Sequence, residues 1–279
     1  MDTITQQRHY NNIFSLGYRC SSAGILKSLG IKTTSYPFDW LVSRLPIIEH
    51  CVENQFKEFL DPLNYEKKRS ATHYYPTNNP NSRQWICDEK IVFNRWYEKL
   101  NLLISTKDIY IPQPLDPAND AYAHQMMMNH HDITNETDRA YYERCVDRWN
   151  NMWNSSLKSL SLYIHPALNY DWHNRNKECV KSEILRFHKS TQSPNRDGIY
   201  IIPVITPFED PTQHCAKYVL EEQPDDPAYP NCRICILWTN NQFVDAGEIF
   251  MGRCNVEEYV VLEYVQTTVQ LGHLPVIIV

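Results

Sequence analysis

The sequence has 279 residues, a formal net charge of −6 and a pI near 6.0, and no run of Lys and Arg that could follow a nucleic-acid backbone, so we expect no nucleic-acid partner. Neither a signal-peptide core nor an apolar stretch long enough to cross a bilayer is present, which predicts a cytoplasmic protein without a membrane span. Nine cysteines stand singly in apolar segments, as is typical of reduced thiols rather than of a disulfide framework.

The most informative stretch comprises residues 13–41. The apolar run IFSL indicates a buried strand, Gly17 interrupts it, and the residues after Cys20 favour a helix. At such a turn, free backbone N–H groups and the positive end of the helix dipole favour a phosphate, a carboxylate or a thiolate. Arg19 adds a positive charge to this predicted site.

Two functions are compatible with this pattern. A helix N-terminus lowers the pKa of a thiol, which would make Cys20 a nucleophile. Alternatively, Gly17, Arg19 and the helix start hold the diphosphate of a nucleotide-sugar, and Cys20 is a bystander. A purely structural interpretation places Cys20 in the core and makes Asp39 a helix cap.

The sequence SYPFDW, residues 35–40, places the carboxylate of Asp39 between two large aromatic side chains, which is costly unless the acid is paired or used. Residues 43–60 then predict a core-packing helix with Pro46 in its first turn. Residues 61–86 carry clusters of Pro, Asn and Ser with little periodicity, so we expect a long surface loop or lid there. A short strand is predicted at 109–111.

The sequence His130-His131-Asp132 offers an acid–base pair. Adjacent residues of a strand point to opposite sides, so at most one of the two histidines faces a site. His131 with Asp132 would suit thiol activation or deprotonation of an acceptor hydroxyl, and a solvated loop is the alternative. We expect no metal here, because three adjacent residues rarely reach one ion together.

Residues 138–160, after a possible N-cap at Thr134, predict a long amphipathic helix. Its inward residues are predicted to be Tyr142, Cys145, Val146, Trp149, Met152, Trp153 and Leu157. Arg144 and Arg148 share one side of this helix and could pair with acidic neighbours or reach an anionic ligand.

The remaining chain alternates between strands and helices. Strands are predicted at 162–164, 199–205, 233–238 and 248–251, and helices at 179–188, around 215–222 and at 256–270. This alternation predicts a layered α/β fold with a mostly parallel sheet, flanking helices and ligands beyond the carboxyl ends of the strands. We expect one domain over residues 1–279, with an N-terminal lobe at 12–160 and a Rossmann-like half at 161–279.

Several common motifs are missing. The sequence contains no GxGxxG, P-loop, GxSxG or HExxH, and no Asp-x-Asp pair indicates a metal-dependent transferase. Cys232-x-x-Cys235 stands alone before an apolar strand, which favours core cysteines over a zinc site.

The N-terminal motifs resemble those of a bacterial and giant-virus family catalogued as papain-like cysteine peptidases. The family pattern S-L-G-x-x-C followed by S-Y-P-F-D-W is found here at 15–20 and 35–40, and His131-Asp132 precedes an Arg-bearing helix, as in the family. The resemblance implies Cys20 as nucleophile, His131 as base and Asp39 or Asp132 as the orienting group.

The resemblance has limits in this sequence. A papain-like site has an oxyanion donor before the cysteine, often Gln, whereas Gly17-Tyr18-Arg19 stand here, and Arg19 suits a phosphate better than a peptide carbonyl. Members of the family also resemble partners of carbohydrate-building genes, and a chlorovirus protein of similar size resembles a xylosyltransferase acting on the capsid glycan. A viral origin would place the chain in the host cytoplasm.

We therefore expect a metal-independent glycosyltransferase that moves a sugar from a nucleotide-sugar such as UDP-xylose to a glycan hydroxyl, without a further cofactor. The predicted substrate-binding residues are Ser15, Gly17, Arg19, Trp40 and Arg253, and the predicted catalytic residues are His131, Asp132, Asp39 and Cys20. The alternatives are a cysteine peptidase or related thiol acyl enzyme using Cys20 and His131, and a non-catalytic glycan-binding protein.

Overall fold

The computed structural model describes residues 10–17, 20–69, 90–94, 127–128, 131–165, 168–191, 193–205, 218–223, 226–239 and 256–269. The helices are α1 (Cys20–Ser28), α2 (Leu45–Glu53), α3 (Lys57–Leu60), α4 (Glu136–Trp153), α5 (Tyr170–Ser190) and α6 (Val256–Val269). The strands are β1 (Asn12–Ser15), β2 (Leu41–Val42), β3 (Tyr65–Arg69), β4 (Lys90–Asn94), β5 (Met127–Met128), β6 (Ser159–Ile164), β7 (Leu168–Asn169), β8 (Arg196–Ile205), β9 (Tyr218–Glu222) and β10 (Cys232–Thr239).

The main sheet has the order β1-β6-β8-β10-β9, and the short β7 pairs with β8. β1, β6, β8 and β10 are parallel, while β9 runs antiparallel to β10. The predicted α/β fold with a mostly parallel sheet and flanking helices is confirmed, as are the strands predicted within β6, β8 and β10. The helix predicted around 215–222 is wrong for 218–222, because the edge of β10 offers backbone partners to this Tyr- and Val-containing segment.

Alternating side chains give the sheet two apolar faces. Ile199 and Ile201 pack with α1 and α6, whereas Tyr200 and Ile202 face a core that contains residues of α2, α4 and α5. Both faces are covered, as expected for parallel strands. The carboxyl ends of β1, β6, β8 and β10 therefore lie at one edge of a three-layer α/β/α sandwich.

The helix predicted at 43–60 is interrupted. It divides into α2 and α3, because Gln55 and Phe56 between them have φ values of 52° and 60°. A left-handed non-glycine residue costs about 1–2 kcal/mol. The burial of Phe56 against Phe38, Phe59 and Trp149 offsets this cost.

The helix predicted at 138–160 is confirmed as α4, with different ends. Asn135, not Thr134, caps its N-terminus by accepting a hydrogen bond from the Asp138 N–H. The helix stops at Trp153, so Leu157 lies beyond it and is 51% exposed instead of inward-facing. The inward residues Tyr142, Cys145, Val146, Trp149 and Met152 are buried as predicted.

A second, antiparallel sheet has the order β2-β5-β4-β3. The segment 61–86 begins with a short 3-10 helix, Pro62–Asn64, and continues into β3 of this sheet. Residues 70–86 lie outside the described residues, as do the strands predicted at 109–111 and 248–251. The predicted helices at 179–188 and 256–270 are confirmed within α5 and α6.

Cys232 and Cys235 are buried in the core, as the sequence predicted for this CxxC pair. Within the described ranges, no group of three or more His, Cys, Asp and Glu residues is arranged to hold a metal ion. Over the same ranges, no helix combines the length and the apolar character needed to span a membrane.

A small cavity with both apolar and polar walls lies at the amino end of β8, and His188 and Arg196 are among the residues that line it. His188 is 3% exposed, its Nδ1 lies 3.2 Å from the Tyr200 hydroxyl, and its Nε2 has no hydrogen-bond partner. Burial lowers the pKa of His188 to about 4; Asp197 opposes this shift and Arg196 adds to it. His188 is therefore neutral in the folded protein at neutral pH.

This neutral histidine predicts acid sensitivity. In the unfolded state His188 takes up a proton as the pH falls below its ordinary pKa of 6.5, whereas in the folded state it stays neutral until about pH 4. The free energy of unfolding should therefore fall as the pH drops from 6.5 to about 4. The full loss should be about 3 kcal/mol. Urea unfolding of wild type and His188→Leu between pH 7 and pH 4 measures it: the variant should lack this part of the pH dependence, and identical pH profiles would contradict the assignment.

Candidate functional site

Two serine hydroxyls hold the turn between β1 and α1. Ser15 Oγ lies 2.6 Å from Ser22 Oγ and accepts the Gly17 N–H at 3.1 Å, and the Ser22 hydroxyl donates to the Gly17 carbonyl at 3.0 Å. Since the Ser22 proton is used in that bond, Ser15 donates to Ser22. Both serines are fully buried, and together they tie the end of the strand to the first turn of the helix that begins at Cys20.

Gly17 brings this turn against the SYPFDW segment. Its φ of +84° lies in the region that favours glycine, and a Cβ added to it would lie 2.7 Å from Ser43 Oγ and 3.3 Å from the Phe38 carbonyl oxygen. The two motifs of the N-terminal stretch, separated in sequence by α1, are therefore in direct contact.

Asp39 is fully buried and paired. Its Oδ2 lies 2.7 Å from Lys32 Nζ and accepts the Tyr36 N–H at 2.8 Å, which closes the turn between Tyr36 and Asp39. Burial raises the pKa of the Asp39 carboxyl above its ordinary value, and Lys32 offsets part of the rise. The other oxygen, Oδ1, is buried and has no hydrogen-bond partner among the described residues. The sequence indicated that a buried acid at this position must be paired or used, and in the structure Asp39 is paired with Lys32.

Helix α4 contributes polar groups to the same segment. Arg148 Nε donates to the Ser35 carbonyl at 2.9 Å, and its Nη2 lies 3.0 Å from Cys145 Sγ. Burial raises the pKa of the Tyr141 hydroxyl to about 12, and the nearby side chains of Ser35 and Cys145 also influence it. Burial also raises the pKa of the Cys145 thiol, which is fully enclosed and therefore unsuited to nucleophilic attack.

His131 is positioned by Asp138 and Tyr141. Its Nδ1 lies 3.1 Å from Asp138 Oδ1, and its ring stacks on Tyr141 with centroids 4.6 Å apart. Both members of the His–Asp pair are about one quarter exposed. Burial alone would raise the pKa of Asp138, but hydrogen bonds from the Asp132 N–H, Asn135 and His131 hold it below its ordinary value. A histidine oriented at Nδ1 by a carboxylate presents Nε2 for proton transfer.

Asp132 has a structural contact instead of the expected contact with His131. Its Oδ1 accepts hydrogen bonds from the N–H and the hydroxyl of Thr134 just before α4, and its own N–H donates to Asp138 Oδ2 at 2.7 Å. Although Asp132 is next to His131 in sequence, the carboxylate that His131 Nδ1 contacts is that of Asp138.

The carboxyl edge of the main sheet contributes a histidine that the sequence analysis did not single out. His165 directly follows β6, is 2% exposed and donates its N–H to the Ile201 carbonyl. Because β6 is the parallel neighbour of β1, His165 and the Gly17 turn lie at the same edge. The sequence could have indicated His165 as a candidate, because it immediately follows a predicted apolar strand.

The structure thus brings several predicted residues together: the Ser15–Gly17 turn packs on the Asp39 turn, and Tyr141, whose hydroxyl lies near Ser35, stacks on His131. Trp40 ends the SYPFDW segment and is partly exposed. Arg19, His130 and Arg253 lie outside the described residues. The partners that sequence reasoning missed are Lys32, Ser22 and Asp138; the spacing Asn135-x-x-Asp138 is a capping pattern that could have indicated the last.

One protein-family model matches residues 11–167, more than half of the 279-residue chain. The family is described as "Putative papain-like cysteine peptidase (DUF1796)", and the chain belongs to it. The matched region runs from β1 to just beyond β6 and includes the Ser15–Cys20 turn, the Asp39 turn, His131 and α4, which confirms the family resemblance. No curated protein and no solved structure matches the chain.

The close approach at Gly17 predicts that alanine substitutions at Gly17 and Gly24 have opposite effects on the free energy of unfolding. Gly17→Ala should destabilise the protein by about 1–3 kcal/mol, because the new Cβ meets Ser43 at a left-handed φ. Gly24→Ala within α1 meets nothing within 4 Å and should stabilise by about 0.5–1 kcal/mol. Urea unfolding of both variants measures the difference, and equal effects would show that the turn does not depend on this close approach.

Proposed function

We propose that this protein is a thiol-dependent acyl-transfer enzyme of the cysteine peptidase class, with Cys20 as its nucleophile. The observation that carries the proposal is the position of Cys20 as first residue of α1, just after a glycine turn at the carboxyl end of a parallel strand. A comparable strand–turn–helix arrangement presents the nucleophilic serine of α/β-hydrolases. The N-terminus of a helix also stabilises a thiolate.

The chemistry uses groups that this fold provides. The Cys20 thiolate attacks the substrate carbonyl, the tetrahedral oxyanion is stabilised by backbone N–H groups at the start of α1, and the leaving amine takes a proton as the thioester forms. Water then cleaves the thioester and restores the thiol. His131, oriented by Asp138, is the proposed proton donor and acceptor for both steps. A cytoplasmic location would keep the thiol reduced.

The glycosyltransferase is the second candidate, and one observation favours it. A helix N-terminus at the carboxyl edge of a parallel sheet is a common binding place for a phosphate group. In this function the Gly17 turn, with Arg19 and Arg253, would bind the diphosphate of a nucleotide-sugar, and His131 would take the proton of the acceptor hydroxyl. The partly exposed Trp40 would contact the sugar, and Cys20 would be dispensable.

The thiol enzyme predicts a reactive Cys20. The rate of Cys20 alkylation by iodoacetamide should titrate with a pKa below the ordinary thiol value of about 8.5, because the helix dipole stabilises the thiolate. Mass spectrometry of the labelled peptides across pH 5–10 would report each cysteine separately, and Cys179 on α5, which is partly exposed, provides an internal reference.

Variants of the two proposed catalytic residues test the same mechanism. Cys20→Ser and His131→Gln should abolish hydrolysis of a fluorogenic peptide library, while Cys179→Ser should leave it unchanged. A Cys20 that titrates like Cys179, or full hydrolysis by Cys20→Ser, would contradict the proposed nucleophile.

The transferase predicts ligand stabilisation instead. A UDP- or GDP-sugar that binds the folded state at a hundredfold excess over its Kd should raise the free energy of unfolding by about 2.7 kcal/mol. Thermal-shift measurements with UDP-xylose, other nucleotide-sugars and free nucleotides would detect this, and Cys20→Ala should retain the shift. No shift with any donor would exclude this candidate, and glycan binding without consumption of a bound donor would indicate a binding protein.

A further inference from the structure

The described residues hold Arg148 in place through two contacts, and none of them forms a hydrogen bond with the remaining edge of its guanidinium. Its Nε–H donates to the Ser35 carbonyl at 2.9 Å and its Nη2 contacts Cys145 Sγ at 3.0 Å. These bonds leave Nη1 and one N–H of Nη2, the pair that makes bidentate contacts with carboxylates and phosphates. The side chain is partly buried, so the group is oriented before any ligand arrives.

Among the described residues, the charge around Arg148 is not balanced. In the part of the chain that the structure describes, no carboxylate lies within 4 Å of its guanidinium nitrogens, whereas Arg44 pairs with Glu183. The nearby carboxylate of Asp39 is already paired with Lys32 at 2.7 Å. Lys32 and Arg148 thus carry two positive charges around one negative charge. Partly buried charges are stabilised by a paired ion, and the described residues leave room for one more anion beside Arg148.

The position of Arg148 relates this charge to the chemistry. Arg148 donates to the Ser35 carbonyl, the Ser35 side chain lies near the Tyr141 hydroxyl, and Tyr141 stacks on His131. An anion held by Arg148 would therefore lie in the same contact network as the proposed proton-transfer residue. Arg144, one turn earlier on α4, is exposed and has no such anchoring.

From this anchoring and charge balance, we infer that Arg148 is the substrate-recognition residue that binds an oxyanion, a carboxylate or a phosphate, of the molecule on which His131 acts. The inference rests on the proposed function and narrows its substrate to an anionic class. For the thiol enzyme the oxyanion is a carboxylate of an acidic peptide, and for a transferase it is a phosphate of the donor. Both present two oxygens to the free edge of the guanidinium.

The test measures binding of simple anions to the full chain. Glutarate represents a carboxylate and inorganic pyrophosphate a phosphate, and isothermal titration calorimetry gives the affinity of each for wild type, Arg148→Gln, Arg148→Lys and the matched control Arg144→Gln. Wild type and Arg144→Gln should bind one of the anions equally well. Arg148→Gln should bind it about 10- to 100-fold more weakly, and Arg148→Lys should be intermediate because it keeps the charge without the bidentate edge.

The outcomes separate this inference from the proposed function. Binding of glutarate indicates the carboxylate, and binding of pyrophosphate the phosphate. Equal affinity in Arg148→Gln and wild type, or no binding of either anion to wild type, would overturn the inference, even where Cys20 alkylation shows a reactive thiol. An ordinary Cys20 together with Arg148-dependent binding would instead remove the thiol mechanism and retain the anion site. Circular dichroism and the Tm of Arg148→Lys show whether the fold is intact.

Discussion

The buried ion pair between Lys32 and Asp39 is the constraint on which the candidate site depends. Asp39 is fully enclosed, so its carboxylate requires a partner, and Lys32 together with the Tyr36 N–H supplies it. The pair closes the turn that presents the Phe38 carbonyl to Gly17. Without this turn, neither Gly17 nor the Ser35 carbonyl that anchors Arg148 would have a defined position.

A cluster of aromatic side chains packs against this turn. Trp149 of α4 is fully buried and contacts Phe14 of β1 and Phe38 of the turn at ring-centroid distances of 5.2 Å each, in edge-on geometry. Three segments that are distant in sequence therefore meet at one side chain. This packing explains how α4 can bring Tyr141 and Arg148 to the turn, and why a left-handed Phe56 is tolerated beside it.

The two proposed chemistries would use the same electrostatics at this turn. Backbone N–H groups and a helix dipole stabilise negative charge, whether it is carried by the thiolate of Cys20, by a tetrahedral oxyanion or by a diphosphate. The family description favours the thiol, and the residues before Cys20 favour the phosphate. The two proposals differ in the substrate group that Arg148 and His131 would meet, a carboxylate in one and a phosphate in the other.

The sequence by itself determined the layered α/β fold, the strand–glycine–helix unit at Gly17 and Cys20, the inward face of α4 and the core position of Cys235, because each depends on local periodicity or turn chemistry. Only the tertiary structure decided partners that are not neighbours in sequence. Lys32 pairs with Asp39, and Asp138, not Asp132, contacts His131 Nδ1, because a fold selects contacts in space. Packing likewise decided the break of the helix at Gln55–Phe56, and pairing with the edge of β10 decided strand β9. In both places tertiary contacts outweighed the local preference for a helix.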